Sequence, residues 1–236
     1  MTLDMSDAGR RRAQRILDAA AELALRWGYR RVTVEEVAKR AGVGKGTVYL
    51  HFESRAWLFM CVLMRESLGL VDELADEVRR DPAAVLPAEQ ARLTFLAVQR
   101  RPLLRAMFSR DAELLGDLAH EEAVRPLRGL KANLGSEMFR LLREHGLMRT
   151  DLDVATQLYV VGAVQTGFYL YRPDADPDAA AAALAHTIRA AVAPPGVPDP
   201  AALSRVAPLV LARCERFRDE LVKAIESRPA RATTPA

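Results

Sequence analysis

A run of small residues around one lysine, Gly42-Val-Gly-Lys-Gly-Thr47, is the first feature of the sequence that suggests chemistry. It resembles part of a nucleotide-phosphate loop, whose pattern is Gly-x-x-x-x-Gly-Lys followed at once by Ser or Thr. Here Gly46 separates Lys45 from Thr47, and Lys39 stands where the first glycine is required. No strand is predicted before the run. We therefore exclude nucleotide hydrolysis for this segment.

Histidines and acidic residues do not show the spacing of a metal site. His120 and His145 stand singly beside Glu121, Glu122 and Glu144, without a His-Glu-x-x-His pattern. No nucleophile–base pair and no paired carboxylates stand out either. We predict no metal, no cofactor and no catalytic residue, and a helical enzyme is kept only as a poorly supported alternative.

The stretch from Thr33 to Phe52 is typical of two short helices joined by a tight glycine turn. Thr33 precedes an apolar-periodic run and Glu36 follows three residues later, which is the pattern of a capping box. Gly42 suits a left-handed residue that closes the first helix. This arrangement predicts a helix-turn-helix, whose second helix enters the major groove of DNA.

The side chains expected to contact DNA lie on and around the second helix, where Lys45, Thr47, Tyr49 and His51 should project outward. A lysine can donate to guanine O6 and N7, and a threonine methyl can touch a thymine methyl. Gly46 would let the helix approach the groove floor, whereas Tyr49 and His51 would hold phosphates. The predicted DNA-binding residues are Arg31, Thr33, Lys45, Gly46, Thr47, Tyr49, Leu50, His51 and Arg55.

The spacing Thr-x-x-x-x-Ala-x-x-Ala-Gly-Val-x-x-Gly-Thr-x-Tyr-x-His-Phe resembles the TetR family of bacterial transcriptional repressors. The resemblance covers roughly Arg10 to Phe59. It implies an all-helical homodimer with an operator-binding head and a body that binds a small molecule and thereby lowers DNA affinity. Gly44, Leu50 and Glu53 depart from the family pattern, which leaves the operator sequence open.

Charge is distributed unevenly along the 236 residues. Residues 1–55 hold 11 Lys and Arg against 7 Asp and Glu, whereas the remainder holds 23 against 24. A basic head and a neutral body fit phosphate contact at the head. Asp4 and Asp7 interrupt any secretory leader, and no uncharged run is long enough to span a bilayer. We therefore expect a cytoplasmic protein without a membrane partner.

Helical periodicity continues through the rest of the chain, so the predicted fold class is all-α, with a three-helix head and a helical body. The predicted units are a flexible arm at 1–9, a DNA-binding domain at 10–53, an effector-binding and dimerisation domain at 54–227, and a flexible tail at 228–236. The eighth predicted helix, ending near Tyr171, is apolar on more than one side. Its stripe of Tyr159, Gly162, Ala163, Thr166 and Tyr169 is assigned to a partner subunit.

An effector cavity is expected among the fourth to eighth helices, because Met and aromatic side chains make adaptable pocket walls. No cluster of charges marks an anionic ligand, so a small apolar effector is predicted. The candidate effector-binding residues are Met64, Leu68, Phe95, Gln99, Leu104, Met107, Phe108, Phe139, Tyr159 and Phe168.

The function predicted from these features is a homodimeric, DNA-binding repressor that a small effector releases from its operator. An activator or global regulator of the same fold would carry the same residues, and so would a helical protein-interaction module with a vestigial head. Sequence-selective, salt-sensitive DNA binding separates the last of these from the others.

Overall fold

A computed structural model describes residues 7–109, 111–115, 125–171 and 176–226. Every regular element in those ranges is a helix, which confirms the all-α class. Single 3-10 turns lie at Tyr29–Arg31 and Pro82–Val85. The helices are α1 Asp7–Trp27, α2 Val34–Ala41, α3 Lys45–His51, α4 Arg55–Arg80, α5 Pro87–Gln99, α6 Pro102–Phe108, α7 Ala112–Leu115, α8 Arg125–Glu144, α9 Val154–Leu170, α10 Pro177–Val192 and α11 Pro200–Glu226.

The first helix begins earlier than the sequence suggested. Asp7 lies in the first turn of α1, and its carboxylate accepts from Arg10 Nη2 at 2.5 Å. A carboxylate is favourable at this end of a helix because it faces unpaired backbone N–H groups. The prediction of a flexible arm was therefore wrong for residues 7–9. Residues 1–6 and the predicted tail at 228–236 lie outside the described residues.

Local signals between α1 and α3 are confirmed in detail. The Thr33 hydroxyl accepts from Glu36 N at 3.2 Å, and Thr33 N donates to Glu36 Oε2 at 2.7 Å, which completes the capping box. Gly42 is left-handed at φ 66° and ψ 40°, and Val43 N donates to Ala38 O at 3.0 Å. The capping box thus fixes the start of α2, and Gly42 with Val43 fixes the turn between α2 and α3.

The head is held together by a hydrophobic core that extends beyond α3. Ile16 of α1, Val37 of α2 and Val48 of α3 are all buried in it. The first half of α4 contributes the continuous buried run 57–64, and α11 contributes Phe217. The proposed domain boundary at 53/54 stays a prediction, but side-chain packing crosses it because α4 and α11 belong to head and body together.

The body has a second hydrophobic core, in which α5 packs along α10 and α4 packs along α11. Leu104, Leu147, Leu184 and Ile188 are among its fully buried side chains. α8 and α9 close the remaining sides and contact each other. None of the described helices is both long and apolar enough to cross a membrane.

Candidate DNA-binding surface and effector cavity

The seven-residue helix α3 has a buried side and a solvent side. Val48 is buried in the head core, while Lys45, Gly46, Tyr49 and Leu50 are exposed and Thr47 is half-exposed. We call these last five residues the outer face of α3. The face carries one cation, one aromatic ring and one residue without a side chain, so it can enter a groove and contact both base edges and phosphates.

His51 does not belong to this outer face. Its side chain is buried, and its ring centroid lies 6.3 Å from that of Phe52. His51 follows Val48 by three residues, and residues three apart lie on the same side of a helix. The prediction that His51 projects outward was therefore wrong, because its place in α3 puts it on the buried side of the helix. Its contact with a phosphate stays a prediction.

Lys45 is already paired within the head. Its ammonium forms an ion pair with Glu35 of α2 and lies 6.0 Å from the Tyr49 ring centroid. The hydrogen bond between them raises the pKa of Lys45 and lowers the pKa of Glu35. Both side chains are largely exposed, and such pairs contribute little to stability. A phosphate or a guanine could therefore replace Glu35 at small cost, and the contact of Lys45 with DNA stays a prediction.

Arg55 has a structural role that the sequence did not reveal. Its Nη2 donates to the Tyr29 carbonyl at 2.7 Å, and its guanidinium lies 4.0 Å from the Tyr29 ring centroid. That ring packs edge-on against Phe59, with the centroids 5.1 Å apart. Arg55 therefore joins the 3-10 turn after α1 to the start of α4. Its contact with a DNA phosphate stays a prediction, alongside this contact within the head.

Removing the Arg55 guanidinium should weaken the head. We expect Arg55→Met to lower the free energy of unfolding by about 2 kcal/mol, because a charge-assisted hydrogen bond and a cation–π contact are both lost. Urea denaturation measures this change, and Arg15→Met on the exposed side of α1 is the control. Equal stability of the two variants would show that Arg55 does not hold Tyr29 in place.

The remaining predicted DNA contacts lie at the edge of the same surface. Arg31 is exposed at the end of the 3-10 turn, directly before α2. Thr33 is exposed too, but its hydroxyl oxygen caps α2. The contacts of Arg31 and Thr33 with DNA stay predictions. His120, Glu121 and Glu122 lie outside the described residues, and within the described ones no three or more His, Cys, Asp or Glu side chains are grouped as a metal would need.

Comparison with known proteins places this head in a family. A family model described as bacterial regulatory proteins, tetR family, matches residues 16–60. The transcriptional repressor KstR of Mycolicibacterium smegmatis is 37% identical over 126 residues, which is 49% of this chain and 59% of KstR. The head of this chain therefore resembles the TetR family over residues 16–60. KstR of Mycobacterium tuberculosis is 38% identical over 111 residues, covering 44% and 48% of the two chains. The chain thus spans about half the length of the curated relatives it matches.

Solved structures extend the likeness in fold to the body of this chain. SmeT of Stenotrophomonas maltophilia, in its complex with triclosan, has a TM-score of 0.58 at 23% identity and covers 80% of this chain and 98% of its own. NalD of Pseudomonas aeruginosa has a TM-score of 0.57 at 19% identity, covering 81% and 100%. At such identities the likeness concerns the fold. The matched proteins are named as regulators, not as enzymes.

Two cavities in the body concern the predicted effector residues. The central cavity, about 370 Å³, lies among α4, α5, α8, α9 and α11. The lateral cavity, about 800 Å³, lies among α5, α6, α9 and α10 and is partly walled by exposed small residues. Phe139 lines the central cavity, whereas Phe95, Gln99 and Phe168 line the lateral one.

Several predicted effector residues lie elsewhere. Tyr159 is 77% exposed, so the prediction that it lines a cavity was wrong. Met64 is fully buried in the head core, and Leu68 lines a cavity of about 170 Å³ between the head and α11. Both belong to the part of α4 that packs in the head core, and their contact with an effector stays a prediction.

The remaining candidates, Leu104, Met107 and Phe108, are not among the residues that line either cavity. Leu104 is fully buried, and Met107 is half-buried between the two cores. The half-buried Phe108 packs on Tyr169 with ring centroids 4.8 Å apart, and Tyr169 also stacks on Phe95 at 5.3 Å. Tyr169 is therefore buried, and its assignment to a partner-facing stripe was wrong. Contacts of Leu104, Met107 and Phe108 with an effector stay predictions.

Sequence reasoning missed one polar residue in this region, Lys131 of α8. It lines the central cavity, and its ammonium lies 5.3 Å from the Phe108 ring centroid. The signal was present in the sequence. Leu127, Lys131 and Leu134 lie on one face of α8 at helical spacing, so the lysine interrupts an otherwise apolar stripe.

Proposed function

We propose that this TetR-family chain is a transcriptional repressor that binds operator DNA as a homodimer and is released by a small, largely apolar effector. The observation that carries the proposal is the outer face of α3, which presents Lys45, Gly46 and Tyr49 on an exposed recognition helix. The matched KstR proteins are named as repressors, which supports the direction of regulation.

Gly46 gives the strongest support for groove entry. A glycine weakens a helix by about 1 kcal/mol relative to alanine. A Cβ built at Gly46 meets no described atom within 4 Å, so packing inside the head does not require glycine there. Close approach of the helix backbone to DNA does require a small residue. The same position therefore disfavours the alternative of a vestigial head.

Binding to DNA upstream of the chain's own gene tests this proposal. At physiological salt with scrambled competitor, we expect selective binding that Lys45→Ala/Tyr49→Ala weakens about 10- to 100-fold, because phosphate and base contacts are lost. Lys223→Ala, at an exposed lysine of α11, is the charge-matched control and should bind as the unchanged protein does. An unaffected double variant would contradict the assignment of α3. The position of the site relative to the promoter separates a repressor from an activator.

Self-association is assigned to the exposed side of α9. Ala155, Tyr159, Ala163 and Gly167 recur every four residues along it, and all four are exposed. Small residues let two helices approach closely, and Tyr159 leaves a large apolar surface in water. Exposed apolar patches of this kind mark interaction sites. We call these four residues the α9 stripe.

A charge placed in the α9 stripe should separate the subunits. We expect Ala163→Arg to be monomeric and to lose at least about tenfold in operator affinity, because two linked heads bind two half-sites. Sedimentation and DNA titration measure the two effects, with Ala132→Arg on the exposed side of α8 as the control. A dimeric Ala163→Arg with full affinity would place the interface elsewhere.

A further inference from the structure

Lys131 carries a buried ammonium group in the body. The residue as a whole is half-buried, but Nζ is buried and has no hydrogen-bond partner among the described residues. The ammonium faces the ring of Phe108, 5.3 Å from its centroid. A lysine has three donors to satisfy, and a buried ammonium without a counter-charge is costly. The arrangement is thus incomplete unless an acceptor enters.

The central cavity supplies the space for that acceptor. Its walls are mostly aliphatic and aromatic, and Lys131 and Cys214 are the titratable groups among its described lining residues. Burial lowers the pKa of Lys131 to about 8 and raises the pKa of Cys214 above its ordinary value. At neutral pH, therefore, the cavity holds one mostly protonated lysine and a neutral thiol. A volume of about 370 Å³ lies within the range of small-molecule sites.

We propose that Lys131 binds the single anionic group, a carboxylate or an equivalent monoanion, of an effector whose apolar body fills the central cavity. This inference rests on the proposed function and narrows its effector from largely apolar to an amphipathic acid. One cation among apolar walls matches one negative charge, whereas a polyanion would leave further charges buried without partners. The lateral cavity is less suited, because its cation, Arg105, is exposed to water.

Matched acid and alcohol probes test the inference without DNA. We would titrate the protein with dodecanoic acid and dodecanol, and with cholanic acid and its primary alcohol, and follow binding by calorimetry. At least one acid should bind at least about tenfold more tightly than its alcohol, because it gains a buried charge-assisted hydrogen bond. Lys131→Met should abolish this preference while keeping alcohol binding, and Lys223→Met should keep the preference.

The outcomes separate this inference from the proposed function. Equal binding of acid and alcohol, a preference that survives Lys131→Met, or no binding of either acid would overturn the role of Lys131. Operator binding by the same preparations is measured separately. If a neutral compound releases the operator while no acid preference exists, the repressor proposal stands and the anion site falls. If an acid binds through Lys131 but the protein selects no DNA, the anion site stands and the repressor proposal falls.

Discussion

Gly46→Ala should stabilise the protein and weaken its binding to DNA in the same molecule. A Cβ at this position meets no described atom within 4 Å, and the residue lies in α3. Alanine is the better helix former, so we expect the free energy of unfolding to rise by about 0.5–1 kcal/mol. The methyl group would point toward the groove floor, where it separates the helix from the bases.

The loss of affinity should grow with the size of the new side chain. We expect about a tenfold loss of operator affinity for Gly46→Ala and about 100-fold or more for Gly46→Gln, the scale of one or two base contacts. Gly129→Ala is the matched control, because Gly129 is an exposed helical glycine of α8 with equally open surroundings. It should gain similar stability and keep full affinity.

The prediction is specific because the free energy of unfolding should rise while operator affinity falls. A general loss of folding would lower both stability and affinity, and a position remote from DNA would change neither affinity nor specificity. Urea denaturation and DNA titration of the same preparations give both numbers. If Gly46→Gln binds its operator as tightly as the unchanged protein, α3 does not enter the groove along this face.

Lys131→Met should stabilise the effector-free protein, because it removes a buried charge that has no counter-charge. Burial lowers the pKa of Lys131 from 10.5 to about 8, so the folded state disfavours the charged form. Each pKa unit corresponds to about 1.4 kcal/mol, and relaxation reduces the full amount. We expect a gain of about 2–3 kcal/mol at neutral pH from an apolar side chain of similar length.

The pH dependence identifies the cause of this gain. Between about pH 8 and 10.5 the unfolded lysine keeps its proton while the folded one loses it, so the unfolded state binds more protons. The stability of the unchanged protein therefore rises with pH across this window, and the penalty is present in full only below it. The advantage of Lys131→Met should fall to less than half by about pH 9.5.

Denaturation at several pH values measures this difference, with Lys223→Met as the control for loss of an exposed lysine. A constant advantage across the window would assign the gain to packing rather than to charge. No advantage at neutral pH would mean that the ammonium is satisfied, and the case for an anionic partner would fail with it. A saturating acid ligand should remove the advantage by stabilising the unchanged protein.

The head could be predicted from sequence because its signals are local. Thr33, Glu36 and Gly42 act on neighbouring backbone groups, and the structure confirms the cap and the turn that they specify. His51 was misplaced because it was assigned to DNA from the chemistry of its side chain, although it follows the apolar Val48 by three residues and so shares the buried side of α3.

The buried and exposed residues of the body could not be predicted from the sequence because its helices are apolar on several sides. In α9 the apolar residues do not favour one direction, so the sequence could not decide that Tyr169 is buried and Tyr159 exposed. Which cavity surrounds Phe139 or Phe95 depends on the pairing of α4 with α11 and α5 with α10. Those pairings join distant parts of the chain, and periodicity within one helix contains no information about them.

Selection of binding sites from random duplex DNA by the intact protein tests the central claim most directly. If the chain is a TetR-family repressor that reads DNA through α3, the selected sequences should converge on a near-palindrome with half-sites about 10 base pairs apart or a related spacing. Gly46→Gln should select no such motif, and Gly129→Ala should select the same one. Failure of the unchanged protein to enrich any motif at physiological salt would contradict the account.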